Sequence, residues 1–325
     1  MPPPPFPHHS AAFRTAAAWT QLPGRGTLRA RGRDAAAFVD KFTTAAVGGL
    51  RPGQGTEGMF ADVRGWVIAL TAILRTDDGL LIDCDGAVAG RLREHLEHYH
   101  IREDMDLVDV SSDVACFAIV GPEAPGWLGA RVEGDVPTAP LEHGMLRCGG
   151  IEAVVSAIDW FGPAGFLVRV ALESRERLND WLVSEGLAQG TAAALEPLRI
   201  EHRYPLARDI PPKTLPQELD RTARAISFTK GCYLGQETVA RIDALGHVNR
   251  SLAIVAVEGD VAPPPGEAVS CGGEDVGVLT SVCVSPRLGP CGLALVHRRG
   301  LAPGAVLAVA GRAGRITTPS VIEEA

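Results

Sequence analysis

Lysine is nearly missing from this 325-residue chain: Lys41, Lys213 and Lys230 are the only three among 31 basic residues. Set against 39 acidic residues, those 31 cations leave a net charge of −8, which argues against a sequence-blind nucleic-acid binder that works by neutralising many phosphates. The arginine excess is shared by alanine, glycine and proline, so arginine number alone carries no chemical signal. Long apolar runs are also scarce. The longest, residues 66–74, has about half the length a helix needs to cross a bilayer, and no membrane span is expected. No two of the seven cysteines (Cys84, Cys116, Cys148, Cys232, Cys271, Cys283 and Cys291) stand at Cys-x-x-Cys spacing, which excludes a metal knuckle or redox pair of that type. Their odd number points to mostly free thiols in a reduced, cytoplasmic setting. A Walker loop, a Gly-x-Gly-x-x-Gly turn that opens a helix, a His-Glu-x-x-His helix and a Ser-His-Asp order are all lacking.

What is present reads as a globular protein. Hydrophobic residues make up 46% and charged residues 22%, near the usual averages, and the length suits two or three domains. Residues 1–22 open with Met-Pro-Pro-Pro-Pro-Phe-Pro, without the basic leader and apolar core of a secretory signal, and are expected to be a disordered tail. Alternation predicts strands over 27–31, 59–62, 66–74 and 80–84, the middle pair joined by a tight turn at Asp62-Val63-Arg64-Gly65. Helices are expected over 34–42, with Asp34 as cap, over 87–98, 174–185 and 191–200, and residues 43–58 as loop. Further strands fall at 106–110, 115–120, 146–148, 151–157 and 165–171, with Gly149-Gly150 as a hairpin turn. From Ser251 onward, short Val-rich and Ala-rich stretches between Pro and Gly clusters read as a small all-β barrel or sandwich, with a domain boundary near 247–250. The class is α+β.

Chemistry-bearing residues concentrate in one segment. A strand-like stretch over 225–229 runs into Lys230-Gly231-Cys232-Tyr233-Leu234-Gly235, and Gln236 to Ile242 reads as a helix with Val239 and Ile242 facing inward. A thiol just ahead of a helix sees unpaired N–H groups and the positive end of the dipole, and Lys230 lies two positions away. Both effects favour thiolate, so Cys232 is the candidate functional thiol with Lys230 beside it. The bland alternative is a buried apolar filler, the common fate of free cysteine.

The run Lys230-Gly231-Cys232-Tyr233-Leu234-Gly235-Gln236-Glu237, followed by Val239-Ala240-Arg241 and Gly246-His247-Val248-Asn249-Arg250, resembles the signature of the YgfZ family of folate-binding proteins. Residues 198–202 and 215–219 upstream, and 276–281 with Ser285-Pro286 downstream, are similar to family segments. The superfamily also holds the glycine-cleavage T-protein, a tetrahydrofolate aminomethyltransferase, and a mitochondrial iron-sulfur maturation factor. The resemblance implies an α+β fold of three domains in a ring around a central funnel. Residues 23–248 would form a folate-binding region of two interleaved subdomains, and 249–325 the C-terminal β-barrel. It further implies tetrahydrofolate or a derivative as cofactor. Glu201 aligns with the glutamate that contacts the pterin in the T-protein. Trp66, Phe228 and Tyr233 are candidate ring neighbours, Gln236 stands where the T-protein has an arginine, and Arg241 and Arg250 are candidates to face the anionic tail. The T-protein carries an acidic pair in a Gly-x-x-x-Asp-Asp strand where this chain has Ala69 and Leu70. An apolar pair cannot supply a carboxylate near a reacting folate nitrogen, which speaks against aminomethyl transfer.

The resemblance therefore implies a folate-binding protein that assists iron-sulfur cluster assembly or repair in client enzymes. tRNA-modifying enzymes are candidate clients, so the link to tRNA modification is indirect. Expected partners are folate and iron-sulfur clients or assembly factors, without direct nucleic acid or membrane, around a monomer. Whether the thiol ligates iron, forms a mixed disulfide or attacks a folate-borne one-carbon unit stays open. The alternative is a tetrahydrofolate-dependent one-carbon (aminomethyl or methyl) transferase. His95, His98 and His100 ride the polar side of a helix without a completing ligand, so no metal site is expected there. Cys271, Cys283 and Cys291 have spacing that permits convergence, but three small apolar fillers is the simpler account.

Overall fold

The computed structural model describes residues 9–317. Three sheets organise them. The first runs in the order Gly55–Ala61, Val67–Arg75, Gly79–Asp85, Arg25–Arg31, Asp106–Asp109, all antiparallel. Its apolar second strand is buried along nearly its whole length because each of its faces meets a core. Ala69 and Ile73 pack with Phe38, Phe60 and Leu92, while Leu70, Ala72 and Leu74 turn to a second cluster shared with the barrel. A run without polar alternation is the signature of a strand covered on both sides.

The second sheet has seven strands: Ala188–Gln189, Ala18–Gln21, Val114–Val120, Gly165–Ala171, Ile151–Ile158, His143–Cys148 and Val132–Glu133. Helices Ala124–Gly129 and Arg175–Ser184 cover one of its faces through Leu128, Leu178 and Leu182. Gly149 and Gly150, with φ of 56° and 76°, make the expected hairpin turn. The third is a closed six-stranded barrel in which Arg250–Val257 pairs with both Gly289–His297 and Arg312–Thr317, so it leaves no free edge. The α+β class and the C-terminal β-barrel are as expected. One core cluster draws Leu70 and Leu74, Ala118 and Leu167, and Ile254 and Leu293 from the three sheets in turn. Among the described residues, no helix is long and apolar enough to cross a membrane.

Several elements depart from expectation. Of the tail set at residues 1–22, 1–8 lie outside the described residues, but His9–Thr15 is a helix and Ala18–Gln21 a strand inside the seven-stranded sheet. Phe13 and Trp19 anchor them, both at most 2% exposed. Asp34 precedes a helix of only Ala35–Asp40 and caps nothing there; its carboxylate accepts from the Asp104 N–H instead. A strand begins at Gly55, inside the stretch expected as loop. The helix over 191–200 is a 3-10 turn, Ala192–Leu195, leading into Glu196–Glu201. Residues 226–229 form no strand, since their backbone bonds go elsewhere.

Candidate functional site

The segment from 226 to 235 is an irregular loop held on both sides. The Ser227 N–H donates to the Thr44 carbonyl and the Leu234 N–H to the Lys41 carbonyl, each at 2.9 Å. The Thr44 hydroxyl donates to the Ala225 carbonyl at 2.5 Å. The Lys230 side chain, 3% exposed, reaches into the facing segment. Its ammonium donates to the carbonyls of Asp40, Thr43 (3.0 Å) and Ala45 (2.7 Å) and sits 3.2 Å from the Asp40 carboxylate. Burial lowers the Lys230 pKa and Asp40 partly offsets it. The Asp40 carboxyl, which burial would raise, ends below its ordinary value through N–H bonds from Gly48 and Val47 and the charge of Lys230. The ammonium's hydrogen bonds all go to residues 40–45, and it also lies over the Tyr233 ring at 5.3 Å, so Lys230 is a clamp that ties the loop to the facing segment.

On its other side the loop rests on the 62–65 turn. Gly235 has φ of +80°, and a Cβ there would lie 2.7 Å from the Asp62 carbonyl and 3.0 Å from the Gly65 Cα. Gly65 in turn has φ of +79°, with the Thr238 Cβ 2.8 Å from its own missing Cβ. Glycine is required at both positions by backbone and by contact. Gly235 opens helix Gln236–Leu245, Val239 is its buried anchor and Ile242 is half-buried. Gln236 turns its side-chain carbonyl back to the Tyr233 N–H at 3.4 Å. Tyr233 packs with Ile226 and Val239, and burial pushes its hydroxyl pKa up to about 12. At the crest of this anchored loop Cys232 is exposed.

Two cavities adjoin the first sheet, and the larger also reaches the barrel. A hollow of about 460 Å³ is lined by Asp62, Trp66, Ala69, Leu70, Arg91 and Lys213, among others. A larger one of about 1020 Å³ runs past Trp160, Arg199 and barrel residues 280–284. Arg25, Asp85, Tyr204 and Leu206 belong to both walls. Tyr204 stacks on Trp160 at 4.6 Å and 17°, with Arg25 over the Trp160 ring and Arg221 over Tyr204. Behind them Asp83, fully buried, receives Arg25 and Arg169. Trp66 is flanked by Arg64 at 4.9 Å and Lys213 at 5.6 Å. Lys213 is a non-glycine residue at φ of 65°, held there by Val67 N–H donation to the Thr214 carbonyl and Arg250 donation to its own carbonyl.

Of the residues singled out from sequence as folate contacts, Trp66 lines the smaller hollow. Glu201 is fully buried but points elsewhere. Its carboxylate receives both terminal nitrogens of Arg14 (2.8 and 2.7 Å) and the Ser285 hydroxyl (2.5 Å), beside a separate hollow of about 320 Å³. The pterin role expected of Glu201 is corrected accordingly: its oxygens tie the N-terminal helix to the barrel. Arg250 is bound to Glu218 at 2.9 and 2.8 Å, and Arg241 is exposed on the outer side of its helix, so neither faces the cavity. Phe228 is 45% exposed, and Phe228, Tyr233, Gln236 and Cys232 border none of the hollows described here. Sequence reasoning missed Tyr204, Arg25, Asp62, Asp85 and Lys213. Only Asp62 carried a local signal, in the Asp-x-Arg-Gly turn beside Trp66.

Residues 7–230 match the GCVT N-terminal domain family. The chain belongs to that family. Among curated members, it is 25% identical over 97% of its length to a probable aminomethyltransferase of Halobacterium salinarum, covering 90% of that protein. It is 28% identical over 78% of its length to the mitochondrial iron-sulfur cluster assembly factor IBA57 of Mus musculus, covering 70% of it. The fold is that of glycine cleavage system aminomethyltransferase T from Bartonella henselae, with a TM-score of 0.82 over 95% of this chain and 87% of that one at 16% identity.

Within this GCVT chain the Cys232 loop and the cavity are neighbours without being one site. The 62–66 turn joins them, since Asp62 and Trp66 line the hollow while Gly65 touches Gly235 and Thr238. Ala69 and Leu70 sit in the cavity wall, 1% and 6% exposed, opposite Phe60 and Met59 on the next strand.

Proposed function

We propose that this GCVT-family chain binds a folate in its central cavity and assists iron-sulfur cluster assembly or repair in client enzymes, with Cys232 as its working thiol. The observation that carries the reading is an exposed thiol on a loop fixed by the Lys230 clamp and the Gly235–Gly65 contact, next to a cavity whose wall offers Ala69 and Leu70 in place of an acidic pair. An immobilised loop presents its sulfur at a fixed position, which lowers the ordering cost of docking against a partner. Among the described residues no group of three or more His, Cys, Asp or Glu could hold a metal ion, so Cys232 contributes one soft ligand or one nucleophile, and a client protein supplies the rest. The YgfZ-like signature and the similarity to a cluster assembly factor support the same reading.

The cavity fits a folate in size and chemistry. Its smaller hollow of about 460 Å³ lies within the range of small-molecule sites, roughly 300–1,000 Å³, and joins aromatic walls to a few polar groups. Trp66 and Tyr204 would hold the ring. Asp62 would receive the pterin N–H edge through Oδ2, since Oδ1 already accepts from Arg64 and Trp66. Arg91 and Lys213 would meet the anionic tail. When bound, tetrahydrofolate supplies a carrier for one-carbon units.

The test is a deletion strain complemented with wild-type or Cys232→Ser protein and scored on several iron-sulfur enzymes. Wild type is expected to restore their activities and Cys232→Ser to fail; normal activities in the deletion strain overturn the reading. The aminomethyltransferase relative favours a second reading, a tetrahydrofolate-dependent one-carbon transferase. Turnover of an aminomethyl or methyl donor that survives Cys232→Ser would select it.

A further inference from the structure

Of the three cysteines in the β domain, two converge. Cys283 and Cys291 are direct partners on the antiparallel strands Glu274–Ser285 and Gly289–His297, their sulfurs 3.6 Å apart and both free thiols. Cys271 aligns instead with Glu274 and Leu307. Residues directly opposed in an antiparallel pair have Cα atoms about 4.5–5.5 Å apart, inside the roughly 4.4–6.8 Å that a disulfide spans. Closing an S–S bond here takes side-chain rotation without moving a strand. The two thiols differ in access. Cys283 is half-buried in the wall of the larger hollow, whereas Cys291 lies behind it, 0% exposed.

We propose that Cys283 and Cys291 form a redox-active dithiol in the cavity wall, oxidised by low-molecular-weight disulfides, with Cys283 as attacking thiol and Cys291 as resolving thiol. The Cys283 sulfur, its proton released, attacks one sulfur of the small disulfide RSSR. The oxidant's S–S bond breaks, and the departing RS⁻ takes up that proton as RSH. The Cys291 sulfur, likewise deprotonated, then attacks Cys283 and expels the second RS⁻, which is protonated in turn. Two protein thiols and one RSSR thus give one protein disulfide and two RSH, with two electrons passing from protein to oxidant. The hydrogen bond with Cys291, together with burial, raises the Cys283 pKa, so this exchange is slow. Two residues beyond Cys283, Ser285 donates to Glu201, which holds Arg14. The disulfide therefore braces the barrel strand to which the N-terminal helix is tied.

The test uses the full chain carrying Cys232→Ser, which removes the exposed thiol that would react with the same reagent. After incubation with oxidised glutathione, remaining thiols are alkylated, and the chain is cut after Arg287, between the two cysteines. The expected result is loss of two alkylatable thiols and a pair of peptides joined through Cys283 and Cys291, reversed by dithiothreitol. With Cys291→Ala added, the reaction should stop with glutathione on Cys283; with Cys283→Ala added, Cys291 should stay alkylatable. Cys291→Ser repeats the first of these arms, and circular dichroism confirms that each variant is folded. Full alkylation of both cysteines after oxidation, or glutathione on Cys291 in the Cys283→Ala protein, overturns the proposal.

Discussion

Replacing Lys230 with methionine separates two physical roles that the sequence alone cannot. The substitution keeps most of the apolar stem and removes an ammonium that bonds three backbone carbonyls and faces the Asp40 carboxylate. Hydrogen bonds to a charged donor contribute about 1.5–3 kcal/mol each. Burying the ammonium costs several kcal/mol, and water can reach part of a surface loop once the charge is gone, so the net loss should be about 3 kcal/mol. Urea denaturation followed by tryptophan fluorescence measures it. The same protein is then treated with iodoacetamide under native conditions. Because Lys230 acts on the 40–45 segment, alkylation of Cys232 should be no slower than in wild type. Stability unchanged within about 0.5 kcal/mol, combined with tenfold slower alkylation, would refute the clamp and restore Lys230 as an activator of the thiol.

Gly235→Ala should cost about 3 kcal/mol, from the left-handed backbone plus overlap with the Asp62 carbonyl, and should make the 226–235 loop more sensitive to protease. Gly246→Ala, at φ of +70° with open space around it, should cost only about 1 kcal/mol; equal losses at the two positions would remove the case for the Gly235–Gly65 contact. Glu201→Gln should destabilise by about 3–5 kcal/mol by breaking the buried pair with Arg14 while leaving folate affinity by calorimetry unchanged, whereas a selective loss of affinity would return Glu201 to the binding site. His95 and His143 are held below the ordinary histidine pKa, first of all by burial, so the unfolded chain takes up protons at higher pH than the folded one. Their contribution to stability is complete above about pH 6.5 and is lost as pH falls from there through the folded-state values. The urea midpoint should accordingly drop between pH 7.5 and 5.5 and drop less in His143→Asn; a flat profile in the wild type contradicts this.

The strands and helices that departed from expectation did so for identifiable reasons. Residues 226–229 have strand-like side chains, but Ser227 bonds the backbone of the 40–45 segment and never enters a ladder. Residues 9–22 look like the continuation of a proline tail, yet Phe13 and Trp19 bury themselves and Arg14 finds Glu201. Asp34 has the residue type of a helix cap, but a distant N–H at Asp104 takes its carboxylate.

What the sequence determined by itself was local or repetitive. Periodicity marked most strands and several helices, the glycine pair at 149–150 marked a hairpin, and the signature segment marked Cys232, because these properties depend on neighbours along the chain. Only the tertiary structure decided where the charges went. Glu201, Arg250 and Lys230 all looked available for chemistry, and each is consumed by a partner 32 to 190 residues away in sequence. Arg25, Tyr204 and Lys213 looked unremarkable and come together around the cavity. A buried charge settles on whichever opposite group the fold brings within reach, and that pairing is set by the packing of three sheets and not by spacing along any one of them.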